Sequence, residues 1–337
     1  MMPIEHYPLA PGLTVCRTLT GMWQVSGAHG AIDPAAALQA MLAYHDAGLT
    51  TWDLADHYGP AEDLIGAFRK TVAAQRGEAD LARVQALTKW VPRPGLVSRA
   101  EVAAAIDRSR RRMGVDTIDL LQFHWWEYAD PSYLTALDAL AELRERGWIA
   151  QIALTNFDTR RLREILDHGI PVVSNQVQFS LVDTRPLRQM AQLCAERGVG
   201  LLTYGTLCGG LLSERYLGSP EPGQGKLTTA SQRKYKQMID VWGGWALFQE
   251  LLAALKTVAD RHGASVAQVA VRATLDQPAV AGVIVGARLG VREHIAETMG
   301  VFELQLTDED RAALAAVQTR GADLLTRIGD CGDEYRR

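Results

Sequence analysis

The chain has 337 residues, 47% of them apolar and 22% charged, with a formal charge of −4 at pH 7. That length buries one large core, as a single barrel or as two modest domains, and the composition excludes extended disorder. The slightly acidic balance leaves no basic footprint for a nucleic-acid backbone.

Cys16, Cys194, Cys208 and Cys331 lie far apart with no CxxC spacing, which points to a reducing compartment and to no metal site. Neither a leader nor an apolar run of about 18 residues is present, so cytoplasmic residence is expected, without membrane contact.

Taken in chain order, Thr18 to Trp23 reads as a first strand, followed by a small-residue loop at Ser26 to Gly30. Asp33 and Pro34 then start a helix to about Asp46, with Asp33 as cap. Leu49 to Asp53, Val84 to Lys89 and Ile118 to Phe123 read as buried strands, alternating with helices at Ala61 to Ala74, Ser98 to Met113 and Ser132 to Arg146. The cluster Arg108, Arg110, Arg111 and Arg112 falls at the solvated end of one of them. Ile149 to Thr155, Val172 to Gln176 and Val199 to Tyr204 continue the strands, with helices near Asp158 to Leu166 and Thr184 to Arg197. Helices at Leu247 to His262 and Ser265 to Leu275 precede an eighth strand, Ala281 to Gly286, and a helix at Val291 to Met299.

Eight strands alternating with helices predict a single (β/α)8 TIM barrel spanning 1–337 as one domain. An open doubly wound sheet shares the local rhythm, but its GxGxxG fingerprint is missing; SGAHG has the wrong spacing. The segment from about 207 to 245, after strand seven, is too long for an ordinary βα connection. It reads as a lid over a ligand or as a peripheral helical excursion. From about 319 to 337 the tail mixes charges with glycine and is expected to drape loosely.

Polar residues punctuate the strand ends. Asp53 follows LTTW, Lys89 ends VQALT, His124 follows IDLLQF, and Tyr58 lies five residues past Asp53. In a barrel these ends share one rim, where sites are built. Asp53 and Lys89 would compensate each other's charge. An ammonium near Tyr58 is expected to lower the phenol's pKa, which suits a general acid for a carbonyl, and a neutral His124 can hydrogen-bond the same oxygen. Singly, each residue has an ordinary structural role: a cap, a surface charge, a core histidine, a loop aromatic.

Together they carry a resemblance. TWDLADHYGPAEDLIG, LTKW and DLLQFHWW are similar to the motifs of the aldo-keto reductase family, and the likeness extends from Gly21 to about Phe302. Within that family the pattern is nearest the branch of potassium-channel beta-subunit-like bacterial reductases. The resemblance implies NADP-dependent reduction of an aldehyde or ketone, reversible as alcohol oxidation. Tyr58 would be the proton donor, Lys89 and Asp53 its tuning pair, and His124 the residue that positions the carbonyl.

It also implies a nicotinamide cofactor stretched along the rim without a Rossmann domain. ALTNF and SNQVQFS place Thr155, Asn156 and Gln176 at the carboxamide, and Tyr204 in LLTYGTLCGGLLS against the ring. Gly205-Thr206-Leu207 replaces the usual Ser-Pro-Leu, yet the amides of Leu207, Gly209 and Leu211 can still face phosphate oxygens. In VIVGARLGVREHIAETM, Gly286 and Ala287 allow close approach, and Arg288 can fork onto a 2′-phosphate, favouring NADPH with NAD as the alternative. Arg292 and His294 would assist at the adenine end. Extra residues at Leu289-Gly290, and Thr298 in place of the usual asparagine, depart from the motif.

Trp23, His57, Trp90, Trp125 and Trp126 are expected to ring the substrate pocket, with a small or medium aldehyde or ketone as the partner molecule. Trp242 and Trp245 either shape that pocket or bury themselves in the outer layer. Association into a homo-oligomer is open. Two other readings compete: a cofactor-binding regulatory subunit with slow turnover, and a barrel isomerase or lyase using Lys89 as its base.

Overall fold

The computed structural model describes residues 4–27, 30–93 and 95–336, so the loop read at Ser26 to Gly30 lies partly outside the described residues. Two strands, β1 (His6–Ala10) and β2 (Leu13–Cys16), form an antiparallel hairpin that the sequence reading did not anticipate. Leu9, Leu13 and Val15 pack with Leu19, Leu87, Leu120, Ala153, Leu202 and Ala281, side chains of the barrel strands. The hairpin therefore stoppers one end of the cylinder with apolar side chains and leaves the other end for chemistry.

Eight parallel strands close the barrel: β3 (Thr18–Gly21), β4 (Thr51–Asp53), β5 (Gln85–Trp90), β6 (Ile118–His124), β7 (Ile149–Thr155), β8 (Val172–Gln178), β9 (Gly200–Tyr204) and β10 (Val280–Gly286), the last pairing with β3. Closure decides between the two sheets that shared the local pattern, because a barrel leaves no edge strand to cover.

The helices start where side chains can cap them. Helix α1 (Pro34–Asp46) is capped by Asp33, whose carboxylate accepts from the Ala35 amide. After α2 (Ala61–Arg76) and the short α3 (Glu78–Leu81), α4 (Arg99–Met113) carries a capping box between Ser98 and Glu101. Arg110, Arg111 and Arg112 of the cluster sit in its last turn, favourably for the helix dipole, and Arg112 also reaches back to the buried Glu62 of α2. These two helices approach closely: a Cβ on Gly66 would lie 2.1 Å from the Arg112 carbonyl oxygen. Helices α5 (Tyr133–Glu145) and α6 (Thr159–Asp167) follow as expected.

The helix read at Thr184 to Arg197 is instead a 3-10 turn, Arg185–Leu187, followed by α7 (Met190–Arg197). Asp183 and Arg185 bind each other there at 2.8 Å, fully buried, and hold the chain in the tighter turn. Likewise the first strand ends at Gly21, and Trp23–Ser26 winds into a 3-10 turn.

The 207–245 segment contains short turns and α8 (Ala230–Trp242), which runs into α9 (Gly244–His262). Trp242 and Trp245 are buried with Phe248, Leu251 and Leu252 of α9, so they serve the outer layer and not the pocket. Helices α10 (Val266–Leu275), α11 (Ile295–Gly300), α12 (Asp308–Gln318) and α13 (Leu324–Ile328) complete the fold.

The tail does not drape loosely. Cys331 is fully buried, and Arg185 grips the segment through the carbonyls of Gly329 and Asp330 and through Glu334 at 3.0 Å. One buried guanidinium thus pins the tail to the loop after β8.

Candidate active site

Every strand-borne residue read as functional lies at or near the C-terminal end of its strand, so parallel closure brings them to one mouth. Register makes this concrete: Gly21 pairs with Asp53, Lys89 with Gln122, His124 with Thr155, Thr155 with Gln176, and Gln178 with Tyr204.

Lys89 Nζ donates to Asp53 Oδ1 and Oδ2 at 2.8 and 2.7 Å and to the Leu54 carbonyl at 3.0 Å. Both side chains are almost fully buried. Burial pulls the lysine pKa down, partly offset by the Asp53 carboxylate. Neither charge would be tolerated there alone.

Tyr58 stands beside this pair, with Lys89 Nζ 5.1 Å from its ring centroid and Trp23 and His57 against it at 5.0 and 4.9 Å. The expected lowering of its pKa is not what the structure produces. Burial, followed by the negative charges of Asp53 and Asp56, pushes the phenol up. The ammonium is already held by both Asp53 oxygens, so Tyr58 sees an ion pair and not a bare cation. The phenol is therefore held in its proton-bearing form.

His124 is buried, and desolvation, reinforced by the neighbouring Arg336, His57 and Lys89 side chains, pushes it down to about 3. Its imidazole is neutral, and its Nε2 has no partner. Thr155 is also buried with an unpartnered hydroxyl, on the neighbouring strand. Two orphaned polar atoms at one mouth are the mark of a site shaped for a polar ligand.

Gln176 is tied down otherwise than expected. Its Nε2 donates to Asp53 Oδ1 at 2.7 Å and to Gln122 Oε1 at 2.6 Å, while Gln122 Nε2 donates to Asp53 Oδ1 at 2.9 Å. The sequence reading passed over Gln122. Its signal was parity: it lies two residues before His124 and so shares that strand face.

The same parity corrects the pocket. Trp90 and Trp125 directly follow the inward-facing Lys89 and His124, so they point outward. Both lie in the apolar layer with Phe123, and the Trp125 indole donates to the Glu127 and Asp130 carbonyls. Of the five residues expected in the pocket, Trp23, His57 and Trp126 remain at the mouth; the Trp126 ring lies 4.3 Å from His124.

Asn156 has φ 58°, and its Oδ1 accepts from the Tyr204 hydroxyl at 2.7 Å. Here the tail enters. The Tyr335 hydroxyl lies 3.2 Å from that of Tyr204, Arg336 donates to the carbonyls of Asn156 and Trp125, and the Tyr335 ring meets Trp126 edge-on at 5.7 Å. Lys234 of α8 donates to Tyr335 and sits 5.2 Å from the Tyr204 ring. No local pattern announces this contact, because it joins positions more than a hundred residues apart.

After β9, Gly205 (φ 73°) turns the chain under Tyr235, whose ring leaves no room for a Cβ. Leu207 and Gly209 lie in the next turn, with the start of α8 packed on Gly209. The Leu211 amide, expected to face a phosphate, instead donates to the Cys208 carbonyl at 3.2 Å, and Leu211 is fully buried. The tight turn consumes that donor. At the far end, Gly286 lies against the Gln24 amide, and Arg288 and Arg292 are exposed, with the Arg292 backbone N–H on the Arg288 carbonyl at 2.9 Å. His294 precedes α11, with its Nδ1 2.8 Å from the Glu297 carboxylate and its backbone N–H on the Tyr44 hydroxyl.

A closed (β/α)8 barrel with a buried acid–amine pair beside a phenol at its C-terminal mouth is built as a barrel enzyme. The chain belongs to the aldo/keto reductase family, whose sequence model matches residues 19–319, and it is accordingly an oxidoreductase of carbonyl compounds. It is similar to aldo-keto reductase YhdN of Bacillus subtilis, 27% identical over 299 residues, which cover 86% of each chain. Flagellar radial spoke protein 5 of Chlamydomonas reinhardtii is 28% identical over 257 residues, 66% of this chain and 49% of that protein, so the match spans about half the relative's length. In fold the chain is similar to the glycerol dehydrogenase of Gluconobacter oxydans, with a TM-score of 0.77 at 23% identity, covering 95% of this chain and 96% of that one. Among the described residues no helix is long and apolar enough to cross a membrane, and no cluster of His, Cys, Asp or Glu could hold a metal ion.

Proposed function

We propose that this chain reduces a small or medium aldehyde or ketone with NADPH, with Tyr58 as the proton donor. The observation that carries the reading is the juxtaposition of Tyr58 with the Asp53–Lys89 pair and the unpartnered His124 Nε2. The orphaned hydroxyl of Thr155, the linked Asn156 and Tyr204 side chains, and Gln176, which with its Nε2 on Asp53 and Gln122 has only Oε1 to offer, stand on the mouth where a nicotinamide would lie. The bound nicotinamide supplies the hydride.

The residues of the chain do the rest. His124, neutral through the working pH range, donates from Nε2 to the carbonyl oxygen and fixes its place. Tyr58, held protonated by burial and by Asp53, releases its proton to that oxygen as negative charge builds there. Lys89 faces the phenol and stabilises the phenolate left behind, while Asp53 keeps the ammonium charged until then. Trp23, His57 and Trp126 form the wall available to the substrate. Leu207, Gly209, Gly286, Arg288, Arg292 and His294 would line the cofactor's path, and the exposed side chains of Arg288 and Arg292 favour a 2′-phosphate. The 207–245 segment, whose α8 rests on the Gly209 turn, would cover that path.

The test is NADPH oxidation followed by absorbance across a panel of aldehydes, ketones and sugars, with Tyr58→Phe as control. We expect turnover by the native chain. The variant should keep nucleotide binding and lose about 10²-fold or more in rate. Folded Tyr58→Phe protein with native turnover would remove the mechanism.

A further inference from the structure

We infer that Gln122 is a positioning residue of the reduction, holding Asp53 in register with Lys89 and linking that pair to Gln176. The inference rests on the proposed reading of Tyr58, Lys89 and Gln176. Gln122 lies on β6, fully buried, paired in register with Lys89 of β5 and two residues before His124 on the same face.

Its amide does two things at once. Nε2 donates to Asp53 Oδ1 at 2.9 Å, and Oε1 accepts from Gln176 Nε2 at 2.6 Å. Gln176 Nε2 also donates to Asp53 Oδ1 at 2.7 Å, so two amides and one carboxylate oxygen close a ring across the mouth, joining β4, β6 and β8. Oδ1 therefore carries three donors, from Lys89, Gln122 and Gln176, and Oδ2 carries Lys89 alone. The amide orientations follow from the charge. Turning Gln122 over would set its carbonyl oxygen against the carboxylate in a site from which water is excluded.

The ring has a mechanical consequence. Asp53 can meet Lys89 with both oxygens only while its plane is fixed, and Gln122 and Gln176 are the neutral groups that fix it. Gln176 in turn owes its own orientation to Gln122. A residue filling this space with the right shape but no amide would leave the ion pair free to rotate, and Lys89 would face Tyr58 less often in the productive geometry.

Three variants separate this role from simple packing. Gln122→Met keeps the volume and removes donor and acceptor. Its kcat is expected to fall ~10- to 100-fold, the scale of one lost hydrogen bond to a charged group. KM for the carbonyl should change less, and fluorescence-monitored NADPH binding should weaken as Gln176 loses its acceptor. Gln122→Glu supplies the telling readout. Protonated, its O–H donates to Asp53 and its C=O accepts from Gln176, reproducing the native pattern; ionised, it sets a second negative charge against Asp53. The groups facing it are Asp53 of β4 and Lys89 of β5, with Asp56, Tyr58 and His124 on the same mouth. Activity of Gln122→Glu relative to native should therefore rise as pH falls, while Gln122→Met shows no such recovery.

A folded Gln122→Met protein with native kcat and native pH profile overturns the inference, and so does a Gln122→Glu variant whose relative activity ignores pH. Should Gln122→Met be poorly folded, the pH-dependent recovery of Gln122→Glu still decides. Tyr58→Phe measured in parallel separates the two levels. If it retains native turnover, the reading of the site fails; if it is impaired while both Gln122 variants behave as native, only the role of Gln122 fails.

Discussion

Remove one charge from the Asp53–Lys89 pair and the other is stranded. In Lys89→Met the carboxylate keeps only the amide donors of Gln122 and Gln176, at 2.9 and 2.7 Å. In Asp53→Asn the ammonium, at most a few per cent exposed, loses the carboxylate that offsets its desolvation. Each change is expected to cost ~3–5 kcal/mol, because an uncompensated charge stays buried. The double variant Asp53→Asn/Lys89→Met buries no net charge and should cost under ~3 kcal/mol, well below the ~6–10 kcal/mol sum of the single changes. Urea unfolding followed by circular dichroism reads this directly: single-variant midpoints should fall by about 1–2.5 M, for a slope of ~2–3 kcal/mol per M, and the double variant should recover most of that. NADPH-dependent carbonyl reduction should be lost in all three. A double variant as unstable as the sum of the singles would show that the two charges do not compensate each other, and the electrostatic account of the site would go with it.

Two other expectations test separate parts of the molecule. Arg288→Ala should weaken NADPH binding by more than about tenfold and leave NADH binding nearly unchanged, as measured by fluorescence titration; equal losses for the two would remove the phosphate assignment. His124 is held at about 3 in the folded chain, against about 6.5 unfolded. Between those values the unfolded state binds a proton that the folded state refuses, so stability falls as pH drops through that window, by up to ~1.4 kcal/mol per pH unit. His124→Asn lacks this contribution. The difference between native and variant urea midpoints should therefore move in the variant's favour from about pH 7 to about pH 4.5, and a constant difference would contradict the burial assigned to His124.

Much of this protein is legible along the chain, since strands, caps and strand ends are local signals. Asp33 before Pro34 marked a helix start through the side chain that must satisfy a free amide, and Ser98 three residues before Glu101 offers the same signal although only the structure brought it out. Asp53, Lys89 and His124 were visible as polar residues closing apolar runs, Thr155 and Tyr204 came only with the family resemblance, and parallel closure alone brings such positions together. Strand parity was equally available and would have turned Trp90 and Trp125 outward and brought Gln122 in.

Other features were not written locally at all. The β1–β2 hairpin stoppers the barrel because Leu9, Leu13 and Val15 meet side chains from six of its strands, which no window of sequence displays. Tyr335 and Arg336 reach Tyr204 and Asn156 only because Arg185 holds the tail at the mouth. The direction of the Tyr58 shift likewise depended on where the lysine's charge was already engaged. Sequence determined which residues stand at the strand ends, because periodicity and capping act over a few residues. Tertiary structure decided who partners whom there, because burial and Coulomb energy depend on distances that only the closed cylinder sets.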